Sequence, residues 1–170
     1  SINKESDAFN VVFLGRMHLK KNPLRLAEAW ISSKFAAQAN ASLYFVGPDE
    51  GETEKITNLL LTRPCERIKV LGPLYKEQKS EILKQAHVFV LPSESEGFPT
   101  TVLEAMSHEL IPLISSDCNM DFLVDAGFAF HSGKSIPAIQ QALLAIEILL
   151  KEDSTLGKKV KEYADSHFSA

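Results

Sequence analysis

One stretch of the sequence, residues 88–106, constrains the fold more than any other. It opens with an apolar run from Val88 to Leu91, whose β-branched and aromatic residues indicate a buried strand. A turn region rich in Pro, Ser, Glu and Gly follows, and then a run of good helix formers that reaches Met106. In a parallel α/β sheet such a loop lies at the carboxyl end of its strand, where open sheets bind ligands. The helix then begins at that crevice and presents backbone N–H groups to it.

Two carboxylates in this stretch are candidates for ligand binding. Glu96 lies on the predicted loop and Glu104 inside the predicted helix, so both side chains can reach the rim of one crevice. An ionised carboxylate accepts hydrogen bonds and donates none, which suits the hydroxyls of a sugar or a ribose. Two structural alternatives stay open. The residues from Thr101 to Glu104 also form a capping-box pattern, and Glu96 is alternatively a solvated loop charge.

The composition is that of a soluble globular chain of one domain. Its 170 residues are 45% hydrophobic and 24% charged, which is enough to bury a core. The longest apolar run, residues 142–146, is too short to span a bilayer, and no signal segment opens the chain. Cys65 and Cys118 lack zinc-ligand spacing and do not indicate a disulfide framework, so a reducing cytoplasm fits best. The net charge of −4 argues against nucleic acid as the main partner.

Strand and helix patterns alternate six times along the chain. The predicted strands are residues 10–15, 42–48, 68–72, 88–91, 110–116 and 129–130, and the residues up to Phe9 are predicted to be a frayed polar leader. Asn22 is the expected N-cap of the first helix, with Pro23 at its first position. Pro112 places its strand at an edge or lies near the start of that strand. The sequence therefore predicts an α/β domain with one doubly wound, mainly parallel sheet and helices on both faces.

The loop after the first strand is rich in basic side chains. Arg16, His18, Lys20 and Lys21 all lie between that strand and the first helix. Arginine grips phosphate oxygens with two parallel hydrogen bonds and lysine adds a point charge, so this loop suits a diphosphate. The alternative is that these cations are simply solvated. Gly47, after the second strand, either lets the backbone approach a ligand or a neighbouring loop closely, or is an ordinary turn glycine.

These motifs occur in an order that resembles a known family. The matching features are Gly15-Arg16 with Lys21, the Val46-Gly47 turn, the Leu71-Gly72 turn, the LPS at 91–93 and EGFPTTVLEAM at 96–106. They resemble the C-terminal, donor-binding lobe of retaining GT-B glycosyltransferases of the group 1 or family 4 type, which have two Rossmann-like lobes and serve bacterial polysaccharide and lipopolysaccharide synthesis. The resemblance covers the chain from Val11 to about Phe168.

In that family one lobe holds the nucleotide-sugar donor and the other lobe holds the acceptor. The resemblance implies that residues 1–170 are a single nucleotide-sugar-binding lobe, that the N-terminal acceptor lobe is missing, and that this fragment transfers nothing alone. The full-length enzyme would transfer a hexose-type sugar from a nucleoside diphosphate to a glycan or lipid-linked acceptor hydroxyl, with retention. Its expected location is the cytoplasm, at the inner face of the membrane. The rival interpretations are a nucleotide-sugar epimerase or phosphorylase-like lobe, and a non-catalytic nucleotide-sugar-binding domain.

The resemblance also implies a role for each matching residue. Arg16 and Lys21 would neutralise the diphosphate as it leaves, together with backbone N–H groups at the start of the central helix. Glu96 would hold donor sugar hydroxyls, and Glu104 would hold the ribose hydroxyls. Leu74 and Tyr75 would form a wall beside the nucleobase; the alternative for Tyr75 is an ordinary surface or core aromatic. The implied catalytic residues are Arg16, Lys21 and Glu96. The implied donor-binding residues are Gly15, Arg16, Lys21, Leu74, Tyr75, Glu96, Gly97, Phe98, Pro99, Thr100, Thr101 and Glu104. Pro99 has no N–H and cannot donate to a phosphate.

The chain departs from the family pattern at one loop. The family usually follows its fifth strand with a glycine pair and a glutamate, whereas this chain has the sequence DCNMD at 117–121. Glu109 also stands where a glycine is common in the family. For this reason no binding role is predicted for Cys118 or Asn119. No Asp-x-Asp pair is present in the sequence, and neither a metal nor another cofactor is expected to be required. The expected partners are the nucleotide-sugar donor, the N-terminal lobe and the acceptor.

Overall fold

The computed structural model describes residues 7–168, and it arranges six strands in one sheet whose neighbouring strands all run parallel. The strands are β1 (Phe9–Leu14), β2 (Ala41–Val46), β3 (Ile68–Gly72), β4 (Val88–Leu91), β5 (Ile111–Ile114) and β6 (Phe130–His131). Their order across the sheet is β3-β2-β1-β4-β5-β6. The chain therefore reverses direction across the sheet between β1 and β4, which is the switch point of a doubly wound fold. The predicted fold class is confirmed.

Helices cover both faces of this sheet. They are α1 (Pro23–Ile31), α2 (Thr53–Thr62), α3 (Lys76–Gln85), α4 (Thr100–Ser107), α5 (Asp121–Asp125), α6 (Ile136–Glu152) and α7 (Leu156–Phe168), with short 3-10 turns at Leu19–Lys21, Lys34–Ala37 and Ser116–Cys118. Helix α1 packs against α2 and α6, and α4 packs against α7. Within residues 7–168, no helix combines the length and the apolar character needed to cross a bilayer.

The central strands form because their residues are apolar on both faces. Every residue of β4 and of β5 is buried, as parallel strands between two helical layers require. Aromatic rings fill the space beside β1. Phe9 stacks near Trp30 and Phe35, and Phe13 contacts Phe45 with ring centroids 5.6 Å apart. These contacts anchor the sheet and α1 in one core.

One sequence prediction needs correction at this level, and the structure decides between the two alternatives for Pro112. Phe9 does not belong to a frayed leader, because it opens β1 and its ring is buried against Phe35. The rest of the predicted leader up to residue 6 lies outside the described residues. Pro112 is the second residue of β5, but β5 is not an edge strand, since it pairs with both β4 and β6. The early position in the strand explains how the sheet accommodates a residue without an N–H.

The long helix α6 begins at a side-chain cap and buries one apolar stripe. Ser135 is its N-cap, and the hydroxyl oxygen of Ser135 accepts a hydrogen bond from the backbone N–H of Ala138 at 3.2 Å. Ile139, Leu143 and Ile146 are buried at spacings of three and four residues, whereas Leu150, one turn further on, is only half-buried.

Candidate functional site

The candidate site lies between the loops that follow β1 and β4. Because these strands are neighbours, their carboxyl ends bring residues 15–22 and 92–99 together. The backbone N–H of Glu94 donates to the carbonyl oxygen of Lys20 at 2.7 Å. The side-chain amide of Asn22 donates to the carbonyl oxygen of Pro92, also at 2.7 Å. The two loops therefore form one connected surface at the switch point.

A polar pocket of about 310 Å³ opens between these loops. Its lining consists mostly of basic side chains, with a carboxylate on the opposite loop: Arg16, His18, Lys20, Lys21, Ser95, Glu96 and Gly97. Such a lining can bind a ligand that carries both an anion and hydroxyl groups, because the cations attract the anion and the carboxylate accepts from hydroxyls.

Lys21 and Glu96 form the closest charged contact of the pocket. The ammonium nitrogen of Lys21 lies 2.6 Å from Oε2 of Glu96, and the two side chains are only 14% and 9% exposed. The hydroxyl of Ser93 donates to the same carboxylate oxygen at 2.6 Å. A charged pair with this little water around it is screened far less than a surface pair. The predicted diphosphate lysine and the predicted sugar carboxylate are thus in direct contact.

Arg16 lies at the outer side of the pocket, where its backbone is set by two glycines. The N–H of Gly15 donates to the carbonyl oxygen of Val46, and a Cβ on Gly47 would lie 1.7 Å from the carbonyl oxygen of Gly15. Gly47 therefore permits a close approach of neighbouring loops, one of the two alternatives left open by the sequence. The guanidinium of Arg16 is exposed and pairs with Glu50 at 3.0 Å.

Helix α4 begins beside the pocket without a side-chain cap. Its N-cap is Pro99. The N–H groups of Thr100 and Thr101 have no partner within the helix, because no helical carbonyl precedes them by four residues. Glu104 does not form the capping box, since Thr101 is inside the helix. Oε2 of Glu104 instead lies 2.9 Å from the ammonium nitrogen of Lys79 on α3. The capping-box alternative is therefore wrong.

The remaining predicted residues lie outside the pocket lining. Phe98 is exposed on the loop before α4. Leu74 and Tyr75 follow β3, the outermost strand, and Tyr75 is 70% exposed directly before α3. Leu74 is half-buried and packs against the core. Their contact with a nucleobase stays a prediction.

Several residues that support the site were not predicted from the sequence. Ser93 contacts Glu96 directly, and Lys79 contacts Glu104. The amide of Asn119 donates to the carbonyl oxygens of Glu96, at 2.7 Å, and Gly97, at 3.3 Å. The Asn22 side chain was predicted to cap α1, but it makes no capping hydrogen bond and turns to the second loop instead. Apart from the Ser93–Glu96 contact, which spans three positions, these contacts join residues far apart in the sequence, so no local pattern predicts them.

Two groups near the pocket, the Glu94 carboxyl and the Cys118 thiol, have shifted pKa values. A hydrogen bond from Asn22, followed by the hydrogen bond and charge of Lys134 and the charge of Arg25, lowers the pKa of Glu94. Burial raises the pKa of the Cys118 thiol, which makes it a poor nucleophile at neutral pH. Within residues 7–168, no group of three or more His, Cys, Asp or Glu side chains is arranged to hold a metal ion.

Solved structures share this architecture. The chain superposes on the C-terminal domain of a glycosyl transferase group 1 family protein, LpcC from Francisella tularensis, with a TM-score of 0.72 at 17% identity, covering 93% of this chain and 83% of that one. It also superposes on Anabaena Alr3699/HepE in complex with UDP and glucose, with a TM-score of 0.80 at 15% identity, covering 95% of this chain and 45% of that one. At these identities the similarity shows the fold, which is the Rossmann-like GT-B fold.

Curated relatives and a family model extend the comparison to sequence. The amylovoran biosynthesis glycosyltransferase AmsD of Erwinia amylovora is 27% identical over 161 residues, which are 89% of this chain and 44% of AmsD. A UDP-Gal:alpha-D-GlcNAc-diphosphoundecaprenol alpha-1,3-galactosyltransferase of Escherichia coli is 34% identical over 118 residues, which are 66% of this chain and 29% of that enzyme. The chain thus spans less than half the length of these relatives. The family model described as glycosyl transferases group 1 matches residues 1–167, so the chain belongs to this glycosyltransferase family.

Proposed function

We propose that this chain is the donor-binding lobe of a two-lobed glycosyltransferase that moves a sugar from a nucleoside diphosphate to an acceptor hydroxyl. The observation that carries the proposal is the contact between Lys21 and Glu96 inside a pocket lined by basic side chains. A phosphate-binding cation and a hydroxyl-binding carboxylate at one point match the junction between the diphosphate and the sugar of a nucleotide sugar. Both curated relatives described above are named as glycosyltransferases, which favours transfer over epimerisation.

The proposed chemistry depends on charge that develops when the donor bond breaks. The bond between the anomeric carbon and the terminal phosphate oxygen cleaves, and negative charge grows on the departing diphosphate. Arg16 and Lys21, with the N–H groups of Phe98, Thr100 and Thr101, oppose that charge. Glu96 orients the sugar through its hydroxyls and steadies the positive charge that grows at the ring. The acceptor hydroxyl oxygen then bonds to the anomeric carbon on the same face, which gives retention, and its proton passes to an oxygen of the departing diphosphate.

Three charged residues of the proposed site form ion pairs that a bound donor would replace. Lys21 is paired with Glu96, Arg16 with Glu50, and Lys79 with Glu104. The nearly buried Lys21–Glu96 pair keeps both charges neutralised until a donor arrives, since an unpaired charge with little solvent around it is costly, whereas the other two pairs are more exposed. On binding, phosphate oxygens replace Glu96 as the partner of Lys21, and sugar hydroxyls replace Lys21 as the partner of Glu96. The ribose hydroxyls approach Glu104.

The donor and acceptor classes follow from the relatives and are part of this proposal. HepE was crystallised with UDP and glucose, and the named donor of the E. coli relative is UDP-Gal, so we propose a UDP-hexose donor. The same relative acts on a diphosphoundecaprenol-linked sugar, which supports a lipid-linked acceptor at the inner face of the membrane. The N-terminal lobe of the full-length protein would hold that acceptor.

We also propose that transfer needs no divalent metal, because the side-chain cations of the loop after β1 already oppose the diphosphate charge. EDTA is expected to leave the initial rate of the full-length enzyme unchanged within twofold. A rate that disappears with EDTA and returns with Mg²⁺ or Mn²⁺ would contradict this part of the proposal.

Isothermal titration calorimetry tests donor binding directly. UDP, GDP and ADP, followed by UDP-glucose, UDP-N-acetylglucosamine and GDP-mannose, are titrated into the wild type and into the Arg16→Ala and Glu104→Ala variants. One nucleotide is expected to bind, with an affinity at least fivefold weaker in both variants, which corresponds to about 1 kcal/mol.

The matched control is Arg63→Ala. Arg63 is an exposed arginine at the end of α2, where it donates to the hydroxyl of Ser32. Its loss is expected to leave nucleotide affinity unchanged. If no nucleotide binds the wild type near millimolar concentration, or if Arg63→Ala weakens binding as much as Arg16→Ala, the proposed donor site is wrong.

A further inference from the structure

We propose that Glu94 is a positioning residue, which sets the geometry of the donor pocket without contacting the donor. This inference rests on the proposed donor site. Glu94 is not part of the pocket lining, although it lies only two residues before Glu96. It is the centre of a charged group that we call the Glu94 cluster, which consists of Asn22, Arg25, Glu94, Asp117 and Lys134.

The Glu94 cluster joins four loops at the carboxyl edge of the sheet. Oε2 of Glu94 accepts from the amide of Asn22 at 2.8 Å and from the guanidinium of Arg25 at 3.2 Å. Oε1 of Glu94 lies 3.4 Å from the ammonium nitrogen of Lys134, and that nitrogen lies 2.7 Å from Asp117. Arg25 also donates to the carbonyl oxygen of Lys134 at 3.2 Å. The loops after β1, β4, β5 and β6 are therefore linked through one carboxylate.

The links fall next to the two groups that define the pocket. Asn22 directly follows Lys21, and its amide donates both to Glu94 and to the carbonyl oxygen of Pro92. Asn22 is buried and has a φ of 57°, a left-handed conformation that a residue other than glycine holds when its surroundings favour it. Any slip between the loops after β1 and β4 must break these bonds and must also change the separation of Lys21 and Glu96.

The Glu96 backbone is held from the opposite side as well. Asn119 donates to the carbonyl oxygens of Glu96 and Gly97, and neither Asn119 nor Asp117 is part of the pocket lining. This is the loop where polar residues replace the glycines expected from the family pattern. In this chain the Asn119 side chain contacts the loop that carries Glu96, and Asp117 pairs with Lys134, so the departure in sequence adds contacts that hold this loop.

The expected signature of positioning differs from that of a general stabilising contact. The Glu94 side chain is 39% exposed, and exposed ion pairs contribute little to the stability of the whole domain. Loss of Glu94 is therefore expected to loosen the two loops locally while the global unfolding transition stays nearly unchanged. The effect on binding should fall on the sugar, which contacts Glu96, more than on the nucleotide.

The first measurement is amide hydrogen exchange of the ligand-free protein, followed by NMR. In Glu94→Ala we expect the backbone amides of Lys21, Asn22 and residue 94, each of which donates a hydrogen bond in the wild type, to exchange roughly tenfold faster after correction for intrinsic rates, as local opening becomes easier. Glu94→Gln keeps an acceptor for Asn22 and should recover part of the protection. Lys134→Met, which leaves the sequence of the loop after β4 unaltered, should give an intermediate rate. The control is Asp165→Asn, which removes one exposed carboxylate paired with Lys161 on α7.

The second measurement compares affinities for UDP with UDP-glucose, and for GDP with GDP-mannose, by calorimetry. In Glu94→Ala the sugar conjugate is expected to bind about tenfold more weakly and the free nucleotide less than threefold more weakly, a selective loss of roughly 1.4 kcal/mol for the conjugate. Glu94→Gln should restore most of the conjugate affinity. Equal weakening of both ligands together with a lower midpoint of unfolding would overturn positioning in favour of a general structural role.

The two proposals fail in different ways. If the wild type binds neither pair of ligands, the donor site is wrong, and the exchange measurement alone then decides whether Glu94 holds the loop. If the wild type binds a pair and Glu94→Ala matches Asp165→Asn in both exchange and affinity, positioning by Glu94 is wrong while the donor site stands.

Discussion

The contact between Lys21 and Glu96 concentrates opposite charge at one point of the proposed site. Both side chains are nearly buried, so replacement of Lys21 by Met leaves Glu96 with Ser93 as its one side-chain donor among residues 7–168. We expect Lys21→Met to lower the free energy of unfolding by about 2 kcal/mol, because removal of one partner of a poorly solvated pair costs more than the pair itself contributes. Urea unfolding, followed by the fluorescence of Trp30, measures this change.

The double variant Lys21→Met with Glu96→Gln provides the control. It removes both charges, so its loss of stability should be smaller than the sum of the two single losses by about 1 kcal/mol or more. Additive losses would indicate that the two side chains do not depend on each other in the folded protein.

Gly47 is the residue where backbone packing leaves least freedom. A methyl group there would collide with the carbonyl oxygen of Gly15, which is backbone and cannot rotate away. We expect Gly47→Ala to cost more than about 2 kcal/mol of unfolding free energy, as overpacked buried sites do. Gly97→Ala is the matched control for stability, because a Cβ at Gly97 meets no atom within 4 Å. Equal thermal midpoints for the two variants would contradict this account.

At the scale of elements, the connection between α6 and α7 contains a strongly perturbed carboxyl. Hydrogen bonds from Thr155, and then from Lys159, lower the pKa of Asp153 from 3.8 to about 2. A pKa that is lower in the folded state adds stability above the unfolded value and loses it as pH falls towards the folded value. We therefore expect the unfolding free energy of the wild type to drop more steeply between about pH 4 and pH 2 than that of Asp153→Asn. Parallel pH profiles would contradict the prediction.

Elements were predictable to the extent that their signals are local. The bounds of β3 and β4 agree with the sequence prediction, because both depend on neighbouring residues. The start of β1 was placed one residue late, since Phe9 is recognisable as core only through its contact with Phe35. Glu104 was ambiguous for the same reason: its partner Lys79 belongs to another helix.

At the scale of the whole molecule, the strand order links both halves of the chain. β1 pairs with β2 on one side and with β4 on the other, so neither half of the sheet keeps its core without the other. We expect a single cooperative unfolding transition in urea. Fluorescence of Trp30, the sole tryptophan and fully buried beside β1, should have the same midpoint as far-UV circular dichroism. Separate midpoints would show that part of the sheet unfolds independently.

The candidate site shows how far sequence reasoning reaches. Arg16, Lys21 and Glu96 were predicted as members of one site, and they line one pocket. Glu94, Asn119 and Lys79 received no role, because each of them acts through a partner that is remote in sequence.

The strand and helix alternation and the loops that carry cations and carboxylates can be predicted from local pattern, since hydrophobic periodicity and turn residues act over a few positions. The contact between Lys21 and Glu96 and the linkage of four loops through Glu94 become apparent only in the folded chain. Such contacts depend on strand order and on the close approach at Gly47, which are set by packing of the whole sheet. The sequence therefore gives the chemical type of each side chain, and the fold determines which other side chains it contacts.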